Sequence, residues 1–161
     1  MPVPDDPQAF IAAAERGINE RDLEGTAGVY AQDAFMQTLT DGAEESFHGA
    51  GAVRGAWASY LEAMAARDFR LAKTIVSVCG DVICNEWTGT LGGHTESRGI
   101  EYWVFDGEGR VREHRLYTFL DVRPSTSPVQ RVRMGLAYPR TALSFLRAQR
   151  KRSRGVSRTA R

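Results

Sequence analysis

Two segments, SRGIEYWVFD (residues 97–106) and RVREHRLYTFLD (residues 110–121), decide how this chain folds. Both are rich in β-branched and aromatic residues, which favour extended strands. The break between them, Asp106-Gly107-Glu108-Gly109, has the composition of a short turn. A connection this short joins antiparallel neighbours, so the two segments are predicted to form a hairpin.

The strand pattern continues upstream of this hairpin. Gly80-Asp81 and Gly92-Gly93 break the preceding sequence into two further segments of the same kind, which predicts an antiparallel meander of four strands. The spacing of apolar residues before the meander is helical instead. We expect strands over 69–79 and 82–91, helices over 7–20, from Asp22 to about 30 and over 51–67, a short strand over 34–39, and a loop up to Gly51.

This order of elements predicts an α+β fold in which helices precede the sheet. The predicted architecture is a cone-shaped, curved antiparallel sheet with three N-terminal helices covering its concave face. A cavity is expected between the helices and the sheet, a common position for a ligand. Residues 123–130 are predicted to be a loop, and Pro139 to open a C-terminal helix. We expect one domain over residues 1–146, followed by a basic tail over 147–161.

The charge distribution limits the partners that this chain can have. Its 161 residues are 42% hydrophobic and 25% charged, as in an ordinary globular domain, and carry a net charge of +1. Residues 147–161 hold seven basic and no acidic residues, so the other 146 residues carry a net charge of −6. A nucleic-acid surface on the folded body is therefore not expected. The tail could contact an anionic partner, but its Gly, Ser and Thr favour a solvated, poorly ordered end.

Several classes of protein are disfavoured by what the sequence lacks. No apolar run approaches the ~18 residues that a membrane span needs, and no secretory signal is evident. Cys79 and Cys84 are expected to be small buried side chains of a reduced, cytoplasmic protein. The three histidines lie 46 and 20 residues apart, which is not a metal-ligand spacing. With no P-loop, dinucleotide fingerprint or nucleophile elbow, we predict neither a metal nor a cofactor.

Several segments together resemble the nuclear-transport-factor-2-like superfamily, and within it the SnoaL-like and ketosteroid-isomerase-like proteins. The resemblance extends over residues 7–121 and implies the same curved-sheet fold. It also implies a small-molecule site, although this superfamily includes isomerases, cyclases, epoxide hydrolases, dehydratases and plain binding proteins. The matching segments are NERDLEG (19–25), VYAQDA (29–34), FHG (47–49), EWTGT (86–90), GIEYWVF (99–105) and GRVREHR (109–115).

The resemblance also indicates where the catalytic groups of the isomerase type would fall. The aspartate base of the first strand corresponds to Thr38, with Asp41 three residues further on. The tyrosine of the first helix corresponds to Ala14, and the protonated aspartate of the sheet corresponds to Glu101. The epoxide-hydrolase aspartate corresponds to Leu116. One of the three isomerase groups is thus retained in altered form, which argues against steroid-type isomerisation with the usual residues.

Strand alternation gives catalytic candidates without reference to any family. If Glu101 faces the cavity, His114 lies across the hairpin on the same face. A Glu–His pair can act as general acid and base, or it can merely fix the sheet. If the pair is functional, two roles of Glu101 remain open. It is either a protonated donor to an oxyanion, or a carboxylate that accepts from the His114 imidazolium and orients that ring as the base. Asp41 is a third candidate, as a relocated base at the cavity mouth.

The predicted substrate-binding residues suit a small, flat, apolar ligand, and a polycyclic compound would also fit this description. Aromatic side chains are expected to line the cavity, with Leu116 and Thr118 opposite them. Glu86 belongs to a strand whose inward face the sequence leaves open, and His48 precedes the third helix. The full predicted set is Trp57, Tyr60, Glu86, Trp103, Leu116, Thr118 and His48.

Two functions are compatible with these residues. The first is a cofactor-free isomerase, cyclase or dehydratase of an apolar carbonyl compound, in which Glu101 and His114 move the proton. The alternative is a non-catalytic ligand-binding or dimerisation module. A homodimer is expected because the helices leave the convex face of the sheet uncovered. That face is predicted to include Tyr102, Val104, Arg115, Tyr117 and Phe119.

Overall fold

The computed structural model describes residues 3–124, 126–144 and 147. The chain divides into two compact units, Met1–Val122 and Arg123–Arg161. The second unit contains α4 (Pro128–Ala137). The first unit contains α1 (Pro7–Glu20), α2 (Leu23–Ala27), β1 (Tyr30–Thr40), β2 (Ala43–His48), α3 (Ala50–Ala66), β3 (Arg70–Cys79), β4 (Val82–Leu91), β5 (Thr95–Phe105) and β6 (Val111–Phe119).

Polar side chains fix where the first two helices begin. The Asp6 carboxylate accepts the backbone N–H of Ala9 at 2.9 Å, and Pro7 occupies the first turn, where no N–H is needed. Asp22 caps α2 in the same way, accepting the N–H of Gly25 at 2.9 Å. Both helix starts therefore lie where the sequence places them.

The sheet is curved, open and mixed, with six strands in the order β2-β1-β6-β5-β4-β3. The α+β class is confirmed, but the prediction of a wholly antiparallel sheet is wrong, because β1 pairs with β6 in parallel. The antiparallel meander from β3 to β6 ends with β6 beside β1, and these two strands run in the same direction. In this register Thr38 lies opposite Leu116.

The strand β2 replaces a segment that the sequence predicts to be a loop. Asp41 and Gly42 have φ values of 49° and 93°, the left-handed conformations that a two-residue hairpin turn requires. Thr40 pairs with Ala43 across this turn. Because β2 is an edge strand and is largely exposed, its sequence lacks the apolar alternation that identifies a strand.

The core of the first unit lies between the helices and one face of the sheet. Helix α1 packs on β3, and α3 packs on β1 and β2. Phe10 of α1 meets the rings of Trp103 and Phe105 edge to face, with centroids 5.3 and 5.1 Å away. Cys79 is exposed and Cys84 is half-buried, so the expectation that both are buried is wrong. Cys79 is the last residue of β3, and Cys84 is the third residue of β4.

The second unit is helical where it is described. Helix α4 begins at Pro128, inside the segment predicted to be a loop, because proline is compatible with the first turn of a helix. Residues 139–144 are also helical, which agrees with a helix opening at Pro139. Apart from Arg147, the predicted basic tail lies outside the described residues. Within the described part of the chain, no helix is long and apolar enough to cross a bilayer.

Candidate active site

A cavity of about 470 Å³ lies between α1, α3 and the sheet of the first unit. Its walls are mostly apolar, and its polar groups cluster at two places. Trp57 and Met64 come from α3, Ile18 comes from α1, and Leu71 and Trp87 come from the sheet. A largely apolar cavity of this size with few polar groups is typical of a small-molecule site.

The inner end of the cavity holds a buried ion pair. Lys73 of β3 donates from Nζ to Oε1 of Glu101 on β5. Both side chains are 1% exposed, and both border the cavity. A pair this deeply buried is expensive to form, since each charge loses its hydration. Its position on the cavity wall therefore favours a chemical role beyond stability.

Neutral donors complete the environment of the Glu101 carboxylate. Asn85 of β4 donates from Nδ2 to Oε1 at 2.9 Å, and its own Oδ1 accepts the Trp103 indole N–H at 2.8 Å. Asn85 is fully buried, so this second bond fixes the orientation of its amide. Donors thus converge on Glu101 from β3, β4 and β6, which favours an ionised carboxylate that accepts hydrogen bonds.

His114 of β6 connects Glu101 to a second set of buried groups. Its Nε2 lies 3.1 Å from Glu101 Oε2, and its Nδ1 lies 2.6 Å from the Tyr30 hydroxyl. Burial, together with the charge of Lys73, holds the pKa of His114 well below its usual range. The neutral ring has one N–H, which the carboxylate receives from Nε2, so Nδ1 accepts from the Tyr30 hydroxyl.

Indole rings hold this imidazole in place. The Trp57 indole N–H donates to the Tyr30 oxygen at 2.9 Å, which leaves the phenolic hydrogen for His114. Burial raises the pKa of Tyr30, so the phenol remains protonated. Trp103 stacks on His114 with centroids 3.5 Å apart and ring planes inclined by 17°. We call Lys73, Glu101, Asn85, His114, Tyr30, Trp57 and Trp103 the inner network.

Desolvation also changes the lysine. Burial lowers the pKa of Lys73 to about 7, while the charge of Glu15 on α1 opposes this shift. Glu15 accepts the backbone N–H of Lys73 at 2.7 Å. Burial therefore favours the neutral amine far more than in an ordinary surface lysine, while the paired Glu101 carboxylate favours the ammonium.

The second polar group of the cavity, which we call the outer cluster, contains Thr38, Glu45 and Tyr60. The Tyr60 hydroxyl donates to Glu45 Oε2 at 2.9 Å and lies 3.3 Å from Thr38 Oγ1. Glu45 is exposed, whereas Thr38 is buried and Tyr60 is half-buried. Burial raises the pKa of Tyr60, with Glu45 contributing in the same direction. This cluster places hydroxyl groups where the isomerase-type aspartate would lie.

The structure brings several predicted site residues together. Glu101 lines the cavity, as do Trp57, Tyr60, Leu116 and Thr118. His114 and Trp103 face the same side of the sheet but lie behind the lining, in the inner network. They can act on a ligand only through other members of this network that do line the cavity, Glu101 and Lys73. The hairpin register agrees with the predicted pairing, since Trp103 lies opposite His114 and Glu101 opposite Leu116.

The other three predicted site residues lie elsewhere. Asp41 is exposed in the β1–β2 turn, and His48 is exposed at the end of β2, with its ring 5.0 Å from that of Phe35. Glu86 is exposed because β4 directs Asn85 and Trp87 inward. None of the three lines the cavity. The sequence does not reveal the hairpin at Asp41 or the inward face of β4, which is why their positions differ from the predicted ones.

Sequence reasoning missed Lys73, Asn85 and Tyr30. Lysine and asparagine are usually exposed, and Tyr30 reads as an ordinary core residue. A signal for Lys73 was present, because it shares strand parity with Leu71 and Ile75, two apolar inward residues. Among the described residues, no group of three or more His, Cys, Asp or Glu could hold a metal ion.

The fold and this cavity define the class of the protein, the nuclear-transport-factor-2-like fold. Residues 8–114 match the SnoaL-like domain family, and the chain belongs to that family. No curated protein sequence matches the chain. The family relationship agrees with the resemblance that the sequence motifs suggest, and it leaves the activity open.

Solved structures with low sequence identity share the fold. A SnoaL-like protein of unknown function from Burkholderia thailandensis has a TM-score of 0.56 and 18% identity, covering 70% of this chain and 98% of that one. A steroid delta-isomerase from Pseudomonas aeruginosa has a TM-score of 0.55 and 23% identity, covering 91% and 98%. A bacterial protein with a cystatin-like fold from Silicibacter pomeroyi has a TM-score of 0.55 and 14% identity, covering 75% and 78%. At these identities the likeness shows the fold alone.

Proposed function

We propose that this protein is a cofactor-free enzyme that transfers a proton on a small apolar carbonyl compound, as an isomerase, cyclase or dehydratase does. The observation that carries this proposal is the Glu101 carboxylate at the inner end of an apolar cavity. Proton transfer next to a carbonyl needs a base within hydrogen-bond reach and a donor for the enolate oxygen. Glu101 and Lys73 supply these two groups side by side.

In this mechanism Glu101 accepts the α-proton and returns it to another position of the substrate. Lys73 and Asn85 keep the carboxylate in place, and the lysine also donates to the developing oxyanion. His114 is a positioning residue, because its Nε2–H orients Glu101 without reaching the cavity. The apolar lining excludes water and strengthens each of these interactions.

The proposed base, Glu101, lies on β5, whereas the base of the isomerase-type proteins lies on the first strand. The family's first-strand aspartate corresponds to Thr38 and its helix-one tyrosine to Ala14, and neither is a base. The proton-transfer function would then belong to β5, with support from β3 and β6. This arrangement predicts a substrate whose reacting carbon reaches the inner end of the cavity.

Hydrogen exchange on a simple ketone tests the proposal without knowledge of the substrate. 2-Tetralone in D₂O would be followed by NMR, and the protein should speed loss of its α-protons. Replacing Glu101 by Gln should slow this exchange by about 10²-fold or more, the usual scale of a general base. Glu86→Gln, at an exposed position of β4 outside the cavity lining, is the matched control and should have little effect. Equal exchange rates for Glu101→Gln and the native protein would refute the assignment.

A non-catalytic binding module is the second candidate. Its support is that every member of the inner network has a polar partner, as in a purely structural ion-pair network. The replacement of the first-strand base by Thr38 points the same way. Binding of 2-tetralone without any catalysed exchange would favour this function over the enzyme.

We also propose that the protein is a homodimer that pairs through the outer face of the sheet. Phe119 is 59% exposed, Val76 is 55% exposed and Ile100 is 44% exposed, although all three are apolar. Of the residues predicted for this face, Tyr102, Arg115 and Tyr117 are half-buried, and Val104 is buried. Light scattering should report twice the 17.8 kDa of one chain, and Phe119→Glu should reduce it. A native mass of one chain at micromolar concentration would contradict the dimer.

A further inference from the structure

Lys73 is unusual in two ways: lysine is rare in this chain, and this lysine lies at an inward-facing position of a strand. The sequence contains two lysines, Lys73 and Lys151, among 21 basic residues. Lys73 lies in the middle of β3, with its side chain directed inward between Leu71 and Ile75. Its amine borders the cavity beside Glu101, and its Nζ lies 5.3 Å from the centroid of the Trp103 ring.

A structural ion pair does not by itself need lysine at this place. Arginine is the usual partner for a buried carboxylate, because it stays charged and binds through two N–H groups. The chain uses arginine at 19 of its 21 basic positions, yet it has lysine here. What lysine provides and arginine does not is an amine that can lose its proton and become a nucleophile.

We infer that Lys73 captures the carbonyl group of the ligand covalently, as an iminium ion, at the inner end of the cavity. The inference rests on the proposed function, because that function takes the ligand to be a carbonyl compound. It deepens the function by giving Lys73 a bond to the substrate in place of a hydrogen bond. An iminium ion draws electrons from the α-carbon more strongly than the parent carbonyl, so Glu101 removes the α-proton more easily.

Lys73 and Glu101 together donate and accept every proton that this step requires. The Lys73 ammonium first gives one proton to the Glu101 carboxylate. The freed Nζ electron pair then bonds to the carbonyl carbon, and the carbonyl π electrons move to oxygen; the N–H proton moves to that oxygen, which gives a neutral carbinolamine. The Glu101 acid protonates the hydroxyl group, which leaves as water while the nitrogen electron pair forms the C=N bond. The carboxylate is regenerated, and water is the one product released.

Electrostatics near Lys73 favour the free amine and then the iminium cation. Burial lowers the pKa of Lys73 to about 7, so the nucleophilic amine forms at a far lower pH than in an ordinary lysine. The titratable groups that face it are Glu15 on α1, Glu101 on β5 and His114 on β6. Glu101 carries the compensating negative charge, and the face of Trp103 interacts favourably with a cation at Nζ.

Reductive trapping tests this inference on the native protein. The protein would be incubated at neutral pH with 2-tetralone and sodium cyanoborohydride, which reduces an iminium ion to a stable secondary amine. Intact mass and peptide mapping then compare labelling at Lys73, Lys151 and the terminal amine. We expect Lys73 to be labelled at least about 10-fold faster than Lys151, because an ordinary lysine is almost wholly protonated at this pH. Its labelling should rise between pH 6 and 8, whereas that of an ordinary lysine rises nearer pH 10.

Matched variants separate capture from the proton transfer. Lys73→Arg keeps the charge and should abolish trapping at this position, and Lys151→Arg should leave it unchanged. Lys73→Met combined with Glu101→Gln serves if the arginine variant does not fold. Labelling at Lys73 no faster than at Lys151, with catalysed α-proton exchange intact, overturns the capture and leaves the proposed function standing. Trapping at Lys73 with no catalysed exchange supports the capture and refutes the proton transfer.

Discussion

The inner network and the outer cluster sit on the same cavity, but solvent reaches them very differently. Lys73 and Glu101 have side chains that are 1% exposed, and Asn85 and His114 are fully buried. The outer cluster ends in Glu45, an exposed residue on the edge strand β2. Both contain a carboxylate hydrogen-bonded to a neighbouring side chain. Water can therefore replace a lost partner at the outer cluster and cannot do so in the inner network.

This difference in solvent exposure implies different roles for the polar groups of the two regions. In the inner network, removing one partner leaves another group buried and unsatisfied, which costs far more than the bond itself contributes. The same desolvation changes the pKa of Lys73 and of His114, which fits these groups for chemistry. At the outer cluster, partial exposure screens such effects, so its residues suit recognition of a ligand. Four measurements test this difference between the two regions.

The largest effect is expected from Glu101→Ala. The variant leaves Lys73 and His114 buried without their shared acceptor, and the free energy of unfolding should fall by about 3 kcal/mol or more. Glu45→Ala, its counterpart in the outer cluster, should change stability little. Urea denaturation measures both variants. Similar losses from the two variants would show that the inner and outer carboxylates do not differ in the way their burial implies.

The pH dependence of stability should also come mainly from the inner network. Lys73 has a folded pKa of about 7, so above that pH the unfolded chain binds a proton that the folded chain does not. His114, whose pKa is lowered in the folded state, acts in the same direction below pH 6.5. Stability should therefore rise by about 2 kcal/mol from pH 6 to pH 9.

Thermal or urea unfolding across this pH range provides the measurement. Lys73→Met combined with Glu101→Gln removes the lysine and should flatten the profile. A native profile that falls between pH 7 and pH 9 would contradict the assignment, since no group with a lowered pKa could produce it.

A smaller loss is expected from Gly99→Ala, next to Trp87 of the cavity wall. Gly99 lies opposite Trp87, and a methyl group at Gly99 would overlap the Trp87 indole. Moving this ring should cost about 1–3 kcal/mol and change the cavity wall. Gly55→Ala in α3 is the control, because its methyl group meets nothing within 4 Å and should be neutral or stabilising. Native-like binding of 2-tetralone by Gly99→Ala would show that the position of Trp87 does not shape the site.

The smallest effect is expected from Tyr60→Phe. This change removes the hydrogen bonds to Glu45 and Thr38 and keeps the aromatic ring. Because water can replace these partners, the free energy of unfolding should change by no more than about 1 kcal/mol. Titration with 2-tetralone would show whether the hydroxyl contributes to binding. A stability loss comparable to that of Glu101→Ala would mean that the outer cluster is structural as well.

The sequence predicts the parts of the fold that apolar residues determine better than the parts that depend on polar residues. The β5–β6 hairpin and the facing of Glu101 and His114 follow from alternation, because large apolar residues on both strands fix the inward face. The strand β2 does not follow, since an exposed edge strand has no such pattern. The inward face of β4 does not follow from the sequence either. Trp87 and its neighbours Glu86 and Thr88 are compatible with both orientations of the strand. The structure shows that the space at Gly99 accommodates the Trp87 indole on the inward face.

The site was harder to predict than the fold because its chemistry depends on buried polar residues. Lys73 and Asn85 belong to residue types that are usually exposed, and only their three-dimensional neighbours explain their burial. Asp41 and His48, in contrast, are common catalytic types that the structure leaves exposed outside the cavity. Residue type alone therefore favoured positions that the structure leaves exposed, while strand parity favoured Glu101 and His114, which it buries.

The parallel pairing of β1 with β6 also affects the order in which this chain can fold. The antiparallel meander from β3 to β6 forms through contacts between neighbouring segments, whereas Met36 must find His114, 78 positions away in sequence. Closing so long a loop has a large entropic cost and slows the step that depends on it. Tyr30 and Trp57 reach His114 only after that step, so we expect the inner network to be completed last, on a sheet that already exists.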